Sequence, residues 1–218
     1  MTEPCDASIR LGRLEPQQLN AAQAALYEDI LSNEAAWADK AGFRMVLPDG
    51  TLLGPFNALL YSPQIGRSLL EFFRTEKRAS RLTPRVHEVV VLTVGSVWAT
   101  PYEIYSHQFV ARAAGIPQSE LDAIAGCREP SGLGEEERCA WRLVFELCSS
   151  RSVDPETFRS SVKHFGREVT VDLLLLAGLY LLTCSLLKCF DPDGDDVRAA
   201  RAAPRSTKPP PTPAPPRR

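Results

Sequence analysis

Three histidines (His87, His107, His164) and two methionines are all that this 218-residue chain carries, and none of its six cysteines stands in a CxxC pair. A zinc centre needs clustered thiolate and imidazole ligands, so this scarcity argues against one. Cysteines scattered through long segments do not form the framework of a small secreted domain. Met1–Arg10 holds charges and no apolar stretch, so no leader is expected and the cytoplasm is the expected compartment. Gly-rich phosphate loops, GxSxG elbows and HExxH pairs are missing. The longest uncharged apolar run, Leu173–Leu187, falls short of the roughly 18–20 residues of a membrane span and reads as a buried helix. Strand signals are sparse as well.

What is present suits one domain with appendages. The chain is 44% hydrophobic and 24% charged, enough apolar residue for a core. Its formal net charge of −2 argues against nucleic acid as a partner. From Arg198 onward there are six basic residues and no acidic ones, so a basic tail follows an acidic body. Pro204–Arg218 holds seven of the eighteen prolines and cannot bury enough surface to fold. Its Pro213–Arg218 end fits a proline motif, a weak candidate for binding an aromatic-lined groove.

Helix punctuation is frequent. Glu15–Ser32 has apolar residues at helical spacing, and Ala41–Gly54 reads as irregular, with a Pro48-Asp49-Gly50 turn. Phe56–Tyr61 and Ile65–Arg74 follow as helices broken at Ser62-Pro63. Thr83-Pro84 opens a helix running to about Val97, with Thr as N-cap and Pro at the first helical position. Thr100-Pro101-Tyr102-Glu103 repeats the signal as an expected capping box, and that helix should stop at Gly115. Further helices are expected at Gln118–Ala125, Glu135–Ser150, Pro155–Phe165 and Glu168–Cys189, with Gly166 as a stop. Eight or nine helices make an all-α fold. The expected organisation is an N-terminal extension over residues 1–11, a helical domain over 12–190, and an acidic turn with a disordered basic tail over 191–218. Asp191–Asp196 resembles the start of a calcium loop, but glycine falls at its fourth position and Ala202 at its twelfth, so an acidic turn is the expectation and no metal.

Two places carry candidate chemistry. Glu88 lies one turn into an apolar helix, either at an edge in a structural salt bridge or held inside, where burial raises a carboxyl pKa. Thr100, Glu103 and His107 share one face of the next helix, with Glu103 and His107 one turn apart and Tyr102 and Trp98 nearby. A carboxylate one turn before a histidine can set its tautomer and basicity, although Glu103 could equally close the capping box and leave His107 a satisfied core residue.

These segments, Leu82–Glu88, Trp98–His107 and Ala111–Gly115, with Gly54-Pro55-Phe56-Asn57 upstream, resemble the carboxymuconolactone decarboxylase / alkyl hydroperoxidase D-like superfamily over roughly residues 12–190. The resemblance implies a compact, all-helical, oligomeric domain, a trimer or hexamer. In the peroxidase-type branch a glutamate, a CxxC pair and a histidine act together. The glutamate and histidine fall on Glu88 and His107, and the cysteine positions on Thr100 and Glu103, a departure that counts against thiol chemistry by that pattern. The decarboxylase branch needs no cofactor. It implies a small unsaturated acid or lactone as substrate, with His107 as general acid, Glu88 as relay or base and Glu103 orienting His107. Tyr102, Arg85, Trp98 and Thr100 are then candidates for substrate contact. The alternatives are antioxidant activity through another cysteine and a non-enzymatic helical oligomer or adaptor.

Overall fold

The structure, a computed structural model, describes residues 12–204; the expected N-terminal extension and the proline-rich end of the tail lie outside the described residues. Among the described residues ten α-helices follow one another: α1 Ala21–Ile30, α2 Ala36–Ala41, α3 Pro55–Leu60, α4 Pro63–Ala79, α5 Pro84–Val97, α6 Pro101–Ala113, α7 Gln118–Ala125, α8 Glu135–Ser150, α9 Pro155–Phe190 and α10 Asp195–Ala202. The only strand-like pairing among the described residues is an isolated bridge between Val46 and Leu52.

Local chemistry accounts for most helix boundaries. Thr83 caps α5, its hydroxyl accepting the Val86 amide at 3.3 Å, and Pro84 takes the first helical position. Thr83→Ala should therefore destabilise the fold by about 1 kcal/mol in urea denaturation, whereas an unchanged midpoint would show that the cap contributes nothing. Gly115 ends the α6 region at φ +85°, as expected. Asp154 caps α9 through the Glu156 amide. Gly166 sits inside α9 at φ +75° and ψ 168°, which separates the two expected helices by a kink.

Three boundaries depart from the sequence expectation. The first helix starts at Ala21, not Glu15, because Asn20 and Gln23 form a reciprocal capping box. The box expected at Thr100 and Glu103 is absent. Thr100 is fully buried and its hydroxyl donates to the Gly95 carbonyl at 3.0 Å, while Glu103 turns into the protein. After residue 190 the acidic segment is a turn only as far as Gly194. The Asp191 carboxylate accepts the Asp195 and Asp196 amides and starts α10, whose Val197 and Ala200 join the core. Asp196 then ties three segments together, accepting the Gly54 amide at 2.6 Å and pairing with Arg13 at 2.6 Å.

α5 is the central element, packed by α6, α7, α8 and α9. Val86, Val90, Val91 and Val94 face a cluster that holds Leu143 and Val144 of α8 and Leu173, Leu176 and Ala177 of α9. Val89 and Leu92 face a second cluster with Ile124 of α7 and Trp141 of α8. A third cluster joins α1, α2, α3 and α4 to Tyr102 and Tyr105 of α6. By length and composition alone α9 is apolar enough to cross a bilayer. Its residues Leu173, Leu176, Ala177 and Cys184 are buried in the helical core, while Val171, Leu175 and Leu182 are exposed. Glu88 is the buried ionisable residue of α5, set among its valines.

Candidate functional site

Glu88 and His107 come from different helices and meet. The Glu88 Oε2 lies 2.8 Å from His107 Nδ1, with Glu88 4% and His107 6% exposed. One turn before His107 on α6, Glu103 brings its Oε2 to 3.5 Å from Nε2 of the same ring. Tyr180, from the apolar half of α9, places its hydroxyl 3.2 Å from Nε2 and its ring edge-on to the imidazole. The other Glu88 oxygen lies 3.1 Å from Nδ1 of His87, whose Nε2 lies 3.2 Å from Glu76 of α4. A continuous row of polar contacts thus runs Glu76, His87, Glu88, His107, Tyr180. It borders a cleft of about 780 Å³, which Trp37, Tyr102 and Glu103 also line.

The charges of this row follow from its geometry. Burial works to raise the Glu88 pKa, but His107 and His87 on its two oxygens outweigh it and hold the group down to about 2. Glu88 is accordingly a carboxylate that accepts from His107 Nδ1–H, which leaves Nε2 toward Tyr180 and Glu103. Burial pushes Glu103 above the usual carboxylate range; His107 opposes this and the Glu88 charge adds to it. Burial would depress His87, yet Glu76 and Glu88 raise it to about 9, so each carboxylate faces an N–H. Tyr180 is raised by burial and by Glu103 and Glu88, and remains a phenol.

Stability should follow these shifts. His87, raised from 6.5 to about 9, contributes fully below pH 6.5, and that contribution disappears as pH rises through 9. Glu88, depressed from 4.5 to about 2, contributes fully above pH 4.5 and is lost as pH falls toward 2. Urea-unfolding stability is expected to be highest between these windows, and His87→Gln should flatten the alkaline decline. A wild-type decline that the variant reproduces in full would remove His87 as its source.

Of the residues marked by sequence, Glu88, Glu103, His107 and Tyr102 line the cleft. Arg85, Trp98 and Thr100 lie outside its lining. Arg85 pairs with Glu137 at 2.7 Å and donates to the Gly115 carbonyl at 2.6 Å. Trp98 packs on the cluster between α5, α8 and α9. Thr100 contacts Cys184 Sγ at 3.3 Å, and burial pushes that thiol up to about 12. Cys148 is likewise pushed up, to about 11. Both are therefore thiols of low nucleophilicity at neutral pH.

Sequence reasoning did not single out Tyr180, His87, Glu76, Lys77 or Trp37. His87 carried a faint signal, a second ionisable group directly beside Glu88 on a helix rich in valine. Tyr180 sits in an apolar run where its hydroxyl has no partner on its own helix.

No protein-family model matches the sequence, and no curated protein matches it significantly. Among solved structures, the chain is similar to the alkylhydroperoxidase AhpD core of an uncharacterised peroxidase-related protein from Ralstonia eutropha JMP134. The TM-score is 0.63 at 19% identity, over 84% of this chain and 94% of that one. It is also similar to a cysteine-to-alanine variant of the debrominase Bmp8 in complex with 2,3,4-tribromopyrrole. There the TM-score is 0.62 at 14% identity, over 83% of this chain and 92% of that one. At these identities the likeness is one of fold.

Proposed function

We propose that this chain, which has the alkylhydroperoxidase D-like fold, is a cofactor-independent acid–base enzyme acting on a small unsaturated carboxylic acid or lactone. Decarboxylation is the reaction that fits best, and related lyase or isomerase chemistry on such acids would use the same groups. One observation carries the reading. A buried imidazole is clamped through Nδ1 by an ionised carboxylate, while its Nε2 stands among Tyr180 and Glu103 at the cleft.

In this reading the carbon–carbon bond to the departing CO2 breaks, and its electron pair spreads into the conjugated ring. His107 delivers a proton from Nε2 to the carbon that held the carboxylate. Glu88, held low by two imidazoles, does not relay that proton. It fixes the ring and offsets the charge of the protonated form, a narrower role than relay or base. Glu103, its pKa pushed up by burial, lies 3.5 Å from Nε2 and is placed to resupply that proton. The Tyr180 hydroxyl offers a hydrogen bond where charge develops.

Support for this chemistry over a thiol mechanism comes from Thr100 and Glu103 standing where the resembling peroxidase pattern has cysteines, and from the raised Cys184 and Cys148. The test is turnover of carboxymuconolactone and related unsaturated lactone acids, with mass spectrometry of the product. Loss of CO2 is the expected result. A panel of such acids recovered unchanged, neither decarboxylated nor isomerised, would overturn the proposal.

A further inference from the structure

Five basic side chains line the cleft, and all but one already have a carboxylate partner. Arg74 pairs with Asp29 and Glu34, Arg78 with Glu71, His87 with Glu76 and Glu88, and His107 with Glu88. Among the described residues Lys77 has no carboxylate within ion-pair distance. Its ammonium instead lies 4.5 Å from the centre of the Trp37 ring. The carboxylates whose fields it feels, Glu88, Glu34 and Glu76, are each committed to another base.

A second group beside it is only half satisfied. Glu76 Oε2 contacts His87, but among the described residues Glu76 Oε1 has no hydrogen-bond partner, although the side chain is only 7% exposed and lines the cleft. A buried carboxylate oxygen without a donor is costly, and a bound ligand's O–H or N–H would satisfy it. Trp37 joins this corner to the reacting one, since its ring centre is 6.3 Å from that of His107.

Resting on the acid–base reading, we propose that Lys77, Trp37 and Glu76 form the recognition corner for a small planar carboxylic acid that also carries a hydrogen-bond donor. Lys77 takes the carboxylate that is retained, Glu76 Oε1 takes the donor, and the ring lies along Trp37 toward His107. Arg85, which the resemblance suggested for substrate contact, is instead occupied by Glu137 and the Gly115 carbonyl. Lys77 is also partly desolvated, which strengthens its pairing with an incoming anion.

Calorimetric titration of the full chain with 3-hydroxybenzoate, benzoate and 3-hydroxybenzamide separates the parts. The acid should bind about tenfold or more tighter than its amide, one ion-paired contact being worth at least that factor. Lys77→Met should erase this preference and Lys77→Arg should keep it, both folding normally because Lys77 lies at the rim. Glu76→Ala should erase the preference for 3-hydroxybenzoate over benzoate and leave the preference for acid over amide. Equal affinity for acid and amide in the wild type, or a preference that survives Lys77→Met, would overturn the assignment. Carboxylate-dependent binding without turnover of any lactone acid would keep this corner and remove the acid–base chemistry. Turnover with an unchanged KM in Lys77→Met would do the reverse.

Discussion

Replacing His107 with glutamine should lower turnover of the decarboxylated acid by about 10²–10⁴-fold, the usual contribution of a positioned proton donor. Glutamine retains a polar side chain of similar reach but cannot carry a proton to carbon. Because the ring is held at both nitrogens by Glu88 and by Tyr180, the loss should fall on kcat with little change in KM. Glu88→Gln should cost less in the chemical step, since Glu88 acts through His107, but it should shift the pH profile. With the carboxylate gone, the charge opposite Nδ1 is lost, and the alkaline limb of the profile should move to lower pH. Glu88→Asp, which keeps the charge, should restore part of that limb. Circular dichroism and thermal melts of each variant separate chemistry from folding. Full activity in His107→Gln would remove His107 from the mechanism, and an unmoved profile in Glu88→Gln would remove the positioning role of Glu88.

The largest structural effect is expected at Gly54. Its backbone stands at φ +66° and ψ −148°, a region that essentially only glycine occupies, and it precedes Pro55 at the start of α3. A Cβ there would lie 2.2 Å from Cε1 of Tyr102. The Tyr102 ring is itself buried and belongs to the cluster of α1 to α4, so it has little room to yield. The Gly54 amide also donates to Asp196, which anchors α10 and Arg13. Gly54→Ala should thus cost about 3–5 kcal/mol, combining backbone strain with overpacking. Urea denaturation would read this directly. A second Tyr102→Ala substitution should relieve the steric part and leave the backbone part. A cost below about 1 kcal/mol for Gly54→Ala would mean that the loop re-forms without strain, since ordinary surface changes stay within that range.

How far the molecule could be read in advance depended on how local each feature is. The cap at Thr83, the stops at Gly115 and Gly166, and the break at Ser62-Pro63 each involve groups a few residues apart, and each stands where the sequence placed it. The Thr100 box had the same local signature and did not form. Tertiary burial offered its hydroxyl the Gly95 carbonyl and drew Glu103 to His107. The sequence reading also passed over α10, because a short polar helix is stabilised by one carboxylate cap and two apolar residues laid on a distant surface.

The candidate site divides along the same line. By itself, the sequence determined that Glu103 and His107 share a helical face, since a spacing of four residues is nearly one turn, and that Glu88 interrupts an apolar helix. Only the tertiary structure decided that the faces of α5 and α6 meet, that Tyr180 arrives from α9, and that Arg85 turns away toward Glu137. It also decided between the two readings of Glu88: the side chain is held inside, yet its carboxyl is lowered, not raised. Burial alone raises a carboxyl pKa, and burial is what an apolar helix announces. The two imidazoles that lower it instead come from the neighbouring residue and from a different helix. Backbone periodicity is written in the order of residues, whereas the sign of a buried charge depends on which groups packing brings within a few ångströms of it.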